Sequence, residues 1–216
     1  MVETQLRPNE VTDIDLLYAM GSLPRERFVP PAFERLAYMD EGIPVLPARD
    51  GSAARYLLAP MVQARLIQLA EIKRHDEVLD VGCATGYSTI VLARLAAQVT
   101  GLEADPELVK AAKENLAGMG VDNAKIVASD LVGGWAAQGP YDAIIVEGGI
   151  PKAPKSLLSQ LKEDGRLVAV ITPQPDLKHG KAYLFVRVGK ETSGVARFDV
   201  GGSPLPGFAP APPFSF

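Results

Sequence analysis

The chain has 216 residues, 47% hydrophobic and 22% charged, with a net charge of −4. That is enough apolar chain to bury a core, and the acidic balance offers no basic field to hold a nucleic-acid backbone. One cysteine and two histidines, His75 and His179, leave no internal disulfide and no Cys/His cluster at metal-ligand spacing, so serine-triad, papain-type and structural-zinc chemistries drop out.

The first fifteen residues lack the apolar stretch of a signal peptide, and no run approaches the ~18 apolar residues of a membrane span. The sequence therefore reads as cytoplasmic, with no membrane partner. Thr12 is placed to cap a short helix through Met20 that Gly21 ends, and Pro31 suits the first turn of a helix into AFERLAYM. Residues 1–50 read as a helical cap. The stretch from Ser52 to Pro60, SAARYLLAP, reads as a loop running into a helix that Pro60 opens, with Val62, Leu66 and Leu69 on one face.

From Glu77 the pattern changes. EVLDVG, VTGLEAD, AKIVAS, YDAIIVEG and GRLVAVI are short apolar strand candidates, and the first four are separated by helical or loop stretches. This alternation predicts a mainly parallel α/β sheet with helices on both faces. AYLFVRV at 182–188 and GVARFDV at 194–200 have only GKETS between them, too little for a crossover helix, so they are expected to form an antiparallel hairpin at the sheet edge. The tail SPLPGFAPAPPFSF reads as an extended strap whose aromatics pack on the domain.

DVGCATGYST, Asp80 to Thr89, places Gly82 and Gly86 between a strand and a helix, where a missing Cβ lets the backbone approach a ligand and the helix N-terminus offers free N–H groups. Ala84 and Tyr87 stand where a dinucleotide fingerprint needs its later glycines, which disfavours a nicotinamide cofactor. Glu103 ends the second strand candidate, where an acid can accept from both ribose hydroxyls; together with the turn it indicates an adenosine ligand. Asp130 ends the third candidate and could accept from an adenine amino group. Gly82, Glu103, Asp130 and Glu147 are expected to line one crevice at the carboxyl ends of the strands.

Four blocks in order carry a resemblance: LPRERFVP (23–30), VLDVGCATGY (78–87), SDLVGGW (129–135) and LLSQLKEDGRLV (157–168). With them the chain resembles the protein-L-isoaspartate O-methyltransferases, S-adenosylmethionine-dependent enzymes that repair peptide chains damaged at Asp and Asn. The resemblance implies a Rossmann-like methyltransferase fold with a mainly parallel seven-stranded sheet, a C-terminal antiparallel hairpin and an N-terminal helical cap. It implies one domain over 1–216: cap and substrate loop at 1–60, cofactor-binding core at 61–175, hairpin and Pro-rich tail at 176–216. It assigns S-adenosylmethionine to Asp80, Gly82 and Gly86 around the methionine and ribose, Glu103 on the ribose hydroxyls and Asp130 near the adenine, with Cys83 and Ala104 beside them in the same set. The partner it implies is a peptide or protein carrying isoaspartate.

The substrate loop departs from the family's G-Q-T-I-S-x-P. Ala54-Arg55-Tyr56-Leu57-Leu58-Ala59-Pro60 aligns with it, so Leu58 takes the serine position and no catalytic residue is assigned. Tyr56, Leu57 and Leu58 are expected to wall the acceptor pocket, with Glu147 and Gly148 opposite. An ionised Glu147 within ~4–6 Å of a substrate carboxylate would repel it, and unless Arg55 turns in to compensate the pocket would suit a neutral or cationic acceptor. Two alternatives to repair stay open on the residues: a diverged methyltransferase acting on another peptide or an unidentified small acceptor, and a catalytically silent cofactor-binding protein.

Overall fold

The computed structural model describes residues 1–49, 53–172 and 179–208. The first helix, α1 (Ile14–Gly21), is capped by Asp13, whose carboxylate accepts from Leu16 N at 3.0 Å. Thr12, the expected cap, instead donates its N–H to the side chain of Gln68. The segment after Pro31 is a 3₁₀ helix, Pro31–Leu36. A two-stranded antiparallel ribbon follows, β1 (Ile43–Leu46) with β2 (Arg55–Leu57). β2 is a strand where the sequence suggests a loop, because three residues carry too little alternation to reveal a strand whose partner lies upstream.

Helix α2 (Pro60–Leu69) begins at Pro60, whose missing N–H costs nothing in a first turn. Its buried face is Gln63, Ala64, Leu66 and Ile67, while the expected Val62 and Leu69 are only partly buried. The cause is polar: Gln63 is turned inward by partners described below.

The main sheet contains β3 (Glu77–Val81), β4 (Gln98–Glu103), β5 (Ala124–Ala128), β6 (Tyr141–Ile150), β7 (Leu161–Ile171), β8 (Gly180–Val188) and β9 (Glu191–Val200). Its order is β5-β4-β3-β6-β7-β8-β9; the first five strands are parallel and the last two antiparallel, as the two-residue connection at 189–190 requires; β9 thus starts three residues earlier than the sequence suggests. Helix α3 (Tyr87–Ala93) joins β3 to β4. Helix α4 (Pro106–Gly118) joins β4 to β5, started by Asp105, which accepts from Glu107 N and Leu108 N, and by Pro106 behind it.

The two faces are covered unequally. On one, Val78, Val99, Ile145 and Val168 pack with apolar residues of α1, α2, α3 and α4. On the other, Leu79, Val81, Ile144, Val146 and Leu167 pack with Leu131, Leu157 and Leu205. The only helix among the described residues between β6 and β7 is the four-residue α5 (Lys155–Leu158), so this face relies on loops and on Leu205 from beyond β9. Part of the expected strap, 201–208, thus runs against the sheet; residues 209–216 lie outside the described residues. Among the described residues no helix is long and apolar enough to cross a membrane, and no group of His, Cys, Asp and Glu is arranged to hold a metal.

Candidate active site

The glycine turn sits between β3 and α3 at the carboxyl edge of the sheet, and Asp80 through Ile90 are all buried. Gly82 has φ +80° and Gly86 φ +86°, left-handed values that glycine adopts without a Cβ penalty. Ala84 between them has φ +50° and is held there by its N–H, which donates to Glu103 Oε2 at 2.9 Å. Asp80 leaves β3 toward α3, where Ser88 and Thr89 donate to its Oδ2 at 2.7 and 2.6 Å. Burial pushes the Asp80 carboxyl up to about 6, with those hydroxyls pulling the other way and the Glu103 charge adding to the rise.

Glu103 ends β4 as expected, and it is fully buried. Its carboxylate accepts from Ala104 N (2.8 Å) and Asp105 N (3.2 Å) as well as from Ala84 N. It is also gripped in bidentate fashion by Arg55, Nη1 to Oε1 at 2.6 Å and Nη2 to Oε2 at 2.9 Å; the same Nη2 donates to Gly82 O at 3.1 Å. Arg55 is 4% exposed. Arg55 therefore does turn inward, but to Glu103 and not to Glu147.

Glu147 lies within β6, not beyond its end, and on the same face as Asp80. Gln63 Nε2 donates to its Oε2 at 2.8 Å, and Arg25 Nη1 donates to Gln63 Oε1 at 3.3 Å. Burial first, and the neighbouring Asp80 second, raise the Glu147 carboxyl well above the usual range. Its Oε1, like Asp80 Oδ1, is buried without a hydrogen-bond partner among the described residues. Burial in that position favours the protonated form, which weakens the repulsion expected of an anionic Glu147.

Arg25 was missed as a site residue, yet it organises this face. It is fully buried; Nε donates to Ala37 O at 2.8 Å, Nη2 donates to Leu58 O, and the guanidinium lies 4.8 Å from the centre of the Tyr87 ring. Phe28 meets Tyr87 edge-on at 5.2 Å, and Phe28 O accepts from Thr85 Oγ1 at 2.8 Å. The LPRERFVP block thus clamps the glycine turn from outside. The spacing of Arg25 and Phe28 within that block was the available signal.

Leu57 and Leu58 are buried in the core shared with Val45, while Tyr56 is half-buried beside Gly42. Cys83 is free and buried, and burial raises its thiol far above the reactive range, so it is an inert packing residue. Ala104 is exposed next to Glu103. Asp130 lies two residues past β5, exposed, its carboxylate accepting from Gly133 N at 2.6 Å. Glu103 and the turn are thus brought into direct contact, Asp80 and Glu147 share a face, and Asp130 stands at the rim.

The donor set has the chemistry for an adenosyl ligand: an acid at the end of β4, a glycine turn, and two buried carboxyl oxygens, Asp80 Oδ1 and Glu147 Oε1, without a hydrogen-bond partner among the described residues. In this structure two of the positions such a ligand would need are already taken. Arg55 holds the acid that the ribose hydroxyls would need, and a Cβ added at Gly82 would lie 3.0 Å from Leu205 Cδ2, so the concavity left by the glycine is already filled.

Sheet order, antiparallel terminal strands and an acid after the turn define the chain as a methyltransferase-type α/β protein. A solved protein-L-isoaspartate O-methyltransferase matches 97% of this chain and 67% of its own at TM-score 0.82 and 24% identity. A Plasmodium falciparum protein described as an enzyme of the same kind, in complex with S-adenosyl-L-homocysteine, matches 94% of each chain at TM-score 0.69 and 23% identity. At those identities the likeness is one of fold. The sequence goes further: the family model for protein-L-isoaspartate(D-aspartate) O-methyltransferase matches residues 1–193. The protein-L-isoaspartate O-methyltransferase of Methanoculleus marisnigri is 38% identical over 174 residues, 81% of this chain and 76% of that one. The chain belongs to the protein-L-isoaspartate(D-aspartate) O-methyltransferase family of S-adenosylmethionine-dependent enzymes.

Proposed function

We propose that the chain is a cytoplasmic repair enzyme that methylates the free carboxylate of isoaspartyl residues in damaged proteins, using S-adenosylmethionine. The observation that carries this reading is the family match over 1–193, which takes in the turn, Glu103 and the substrate loop together. When bound, the cofactor supplies the methyl group from a sulfonium. Asp80, Gly82, Cys83, Gly86, Glu103, Ala104 and Asp130 are the residues we assign to it, and Tyr56, Leu57, Leu58, Glu147 and Gly148 to the acceptor side.

The acceptor, with a pKa of about 3.9 for an aspartyl-type group, is ionised at neutral pH and needs no general base. The lack of a histidine or reactive thiol at this edge is therefore compatible with the reaction, which depends on alignment of acceptor and methyl group. Leu58 in place of a serine removes one hydrogen bond to the acceptor.

The test is transfer of a labelled methyl group to an isoaspartyl peptide beside its aspartyl twin. We expect saturable labelling of the first and background labelling of the second. Equal labelling of both, or turnover only with amine acceptors, would contradict the repair reading. No turnover with any acceptor while the cofactor binds would identify a silent binding protein.

A further inference from the structure

The segment after β9 does not leave the molecule. It turns back along the end of β6: Gly149 N donates to Ser203 O at 2.8 Å, Leu205 N donates to Gly149 O at 3.1 Å, and Pro204 pairs with Gly149 in a parallel bridge. The contact is shaped on both sides. A Cβ at Gly148 would lie 2.7 Å from Leu205 Cγ and 2.9 Å from Ser203 O, and one at Gly149 would lie 2.9 Å from Gly202 O. The Gly148-Gly149 pair is therefore what admits the segment.

Leu205 is 5% exposed and reaches from Gly148 to Gly82, where it meets the concave side of the glycine turn. The chain then passes the rim acid: a Cβ at Gly207 would lie 3.5 Å from Asp130 Oδ1. Residues 203–207 thus follow the carboxyl edge of the sheet past Gly148, Gly82 and Asp130. From the opposite side Arg55 closes Glu103 with two charge-assisted hydrogen bonds and ties itself to Gly82 O.

We propose that the chain closes its own cofactor crevice: Leu205 plugs the glycine turn, Arg55 occupies the ribose-binding acid, and an adenosyl ligand binds only when both withdraw. This rests on the cofactor assignment made under Proposed function. Ligand and C-terminal segment then compete for one place, so the apparent affinity is the intrinsic affinity reduced by the fraction of molecules that are open. Anything that captures the segment 203–208 turns the protein on.

Two measurements on the full-length protein test the plug. Calorimetric titration with S-adenosylhomocysteine should give an affinity about 10- to 100-fold higher for Leu205→Gly than for the wild type, as expected for a crevice closed most of the time. Separately, Leu205→Cys places a thiol in the plug, against a background of one native thiol, Cys83, that is 2% exposed. Its alkylation should be slow alone and accelerate saturably with added S-adenosylhomocysteine, whereas the wild type should stay unreactive. Equal affinities for wild type and Leu205→Gly, or a ligand that protects the thiol at 205, would overturn the plug and leave the methyltransferase reading intact. No binding by either protein would overturn the cofactor reading and the plug together.

Discussion

Ala84 occupies a left-handed position where the family's glycine would stand, at a cost for an L-residue of about 1–2 kcal/mol. It persists because its N–H completes the shell of Glu103. Ala84→Gly is expected to raise the unfolding free energy by about 0.5–1 kcal/mol, the strain relief being offset in part by the freer unfolded chain. A lower denaturant midpoint would mean that the buried methyl contributes more than the strain. At Arg55 the sign is opposite. Arg55→Ala leaves Glu103 buried without its counter-charge, and loss of about 3–5 kcal/mol is expected in urea unfolding. Arg49→Ala, which removes the exposed partner of Glu107, should leave the midpoint where it was. Glu147 makes a prediction about pH. Its folded carboxyl titrates well above the usual value, so the native state keeps a proton that the unfolded chain releases above about pH 4.3. The stability this confers is complete below that value and is lost as pH rises toward the folded pKa. Glu147→Gln does not titrate, so its stability relative to wild type should grow as the pH rises above about 4.3. A difference independent of pH would show that Glu147 ionises normally.

At the scale of elements, local signals did well wherever the physics is local. Asp105 and Pro106 announce the start of α4, and the two residues between β8 and β9, Gly189 and Lys190, permit only a hairpin. The β1–β2 ribbon was hidden because Arg55–Leu57 is three residues long and its register depends on Ile43–Leu46. The inward face of α2 was displaced for the same kind of reason: Gln63 is buried by Glu147 and Arg25, which are far from it in sequence. Gln160 shows how a motif holds a loop. It accepts from Trp135 N at 2.9 Å and donates to Gly133 O and Ser156 O, both at 2.8 Å, so the LLSQ block fastens the SDLVGGW block. Gln160→Ala should cost about 1–3 kcal/mol through the buried groups it leaves unpaired. Amide exchange should speed up in 131–138 before it does in the sheet; uniform acceleration would mean that the loop and sheet open as one unit.

Across the whole molecule, the kind of site was legible but its state was not. Gly82, Gly86 and Glu103 all lie within one β-α-β unit, which is why their pattern alone pointed to an adenosine ligand. The closure comes from Arg55, 48 residues from Glu103, and from Leu205 beyond the last strand, and no local rule connects either to the turn. The same two residues decide whether this edge serves a cofactor. The most direct measurement is therefore a crystal structure of the protein with S-adenosylhomocysteine. The account predicts ribose hydroxyls on Glu103, with Arg55 released from that carboxylate and Leu205 away from Gly82. A bound ligand elsewhere, with the Arg55–Glu103 pair and the Leu205 contact intact, would contradict it.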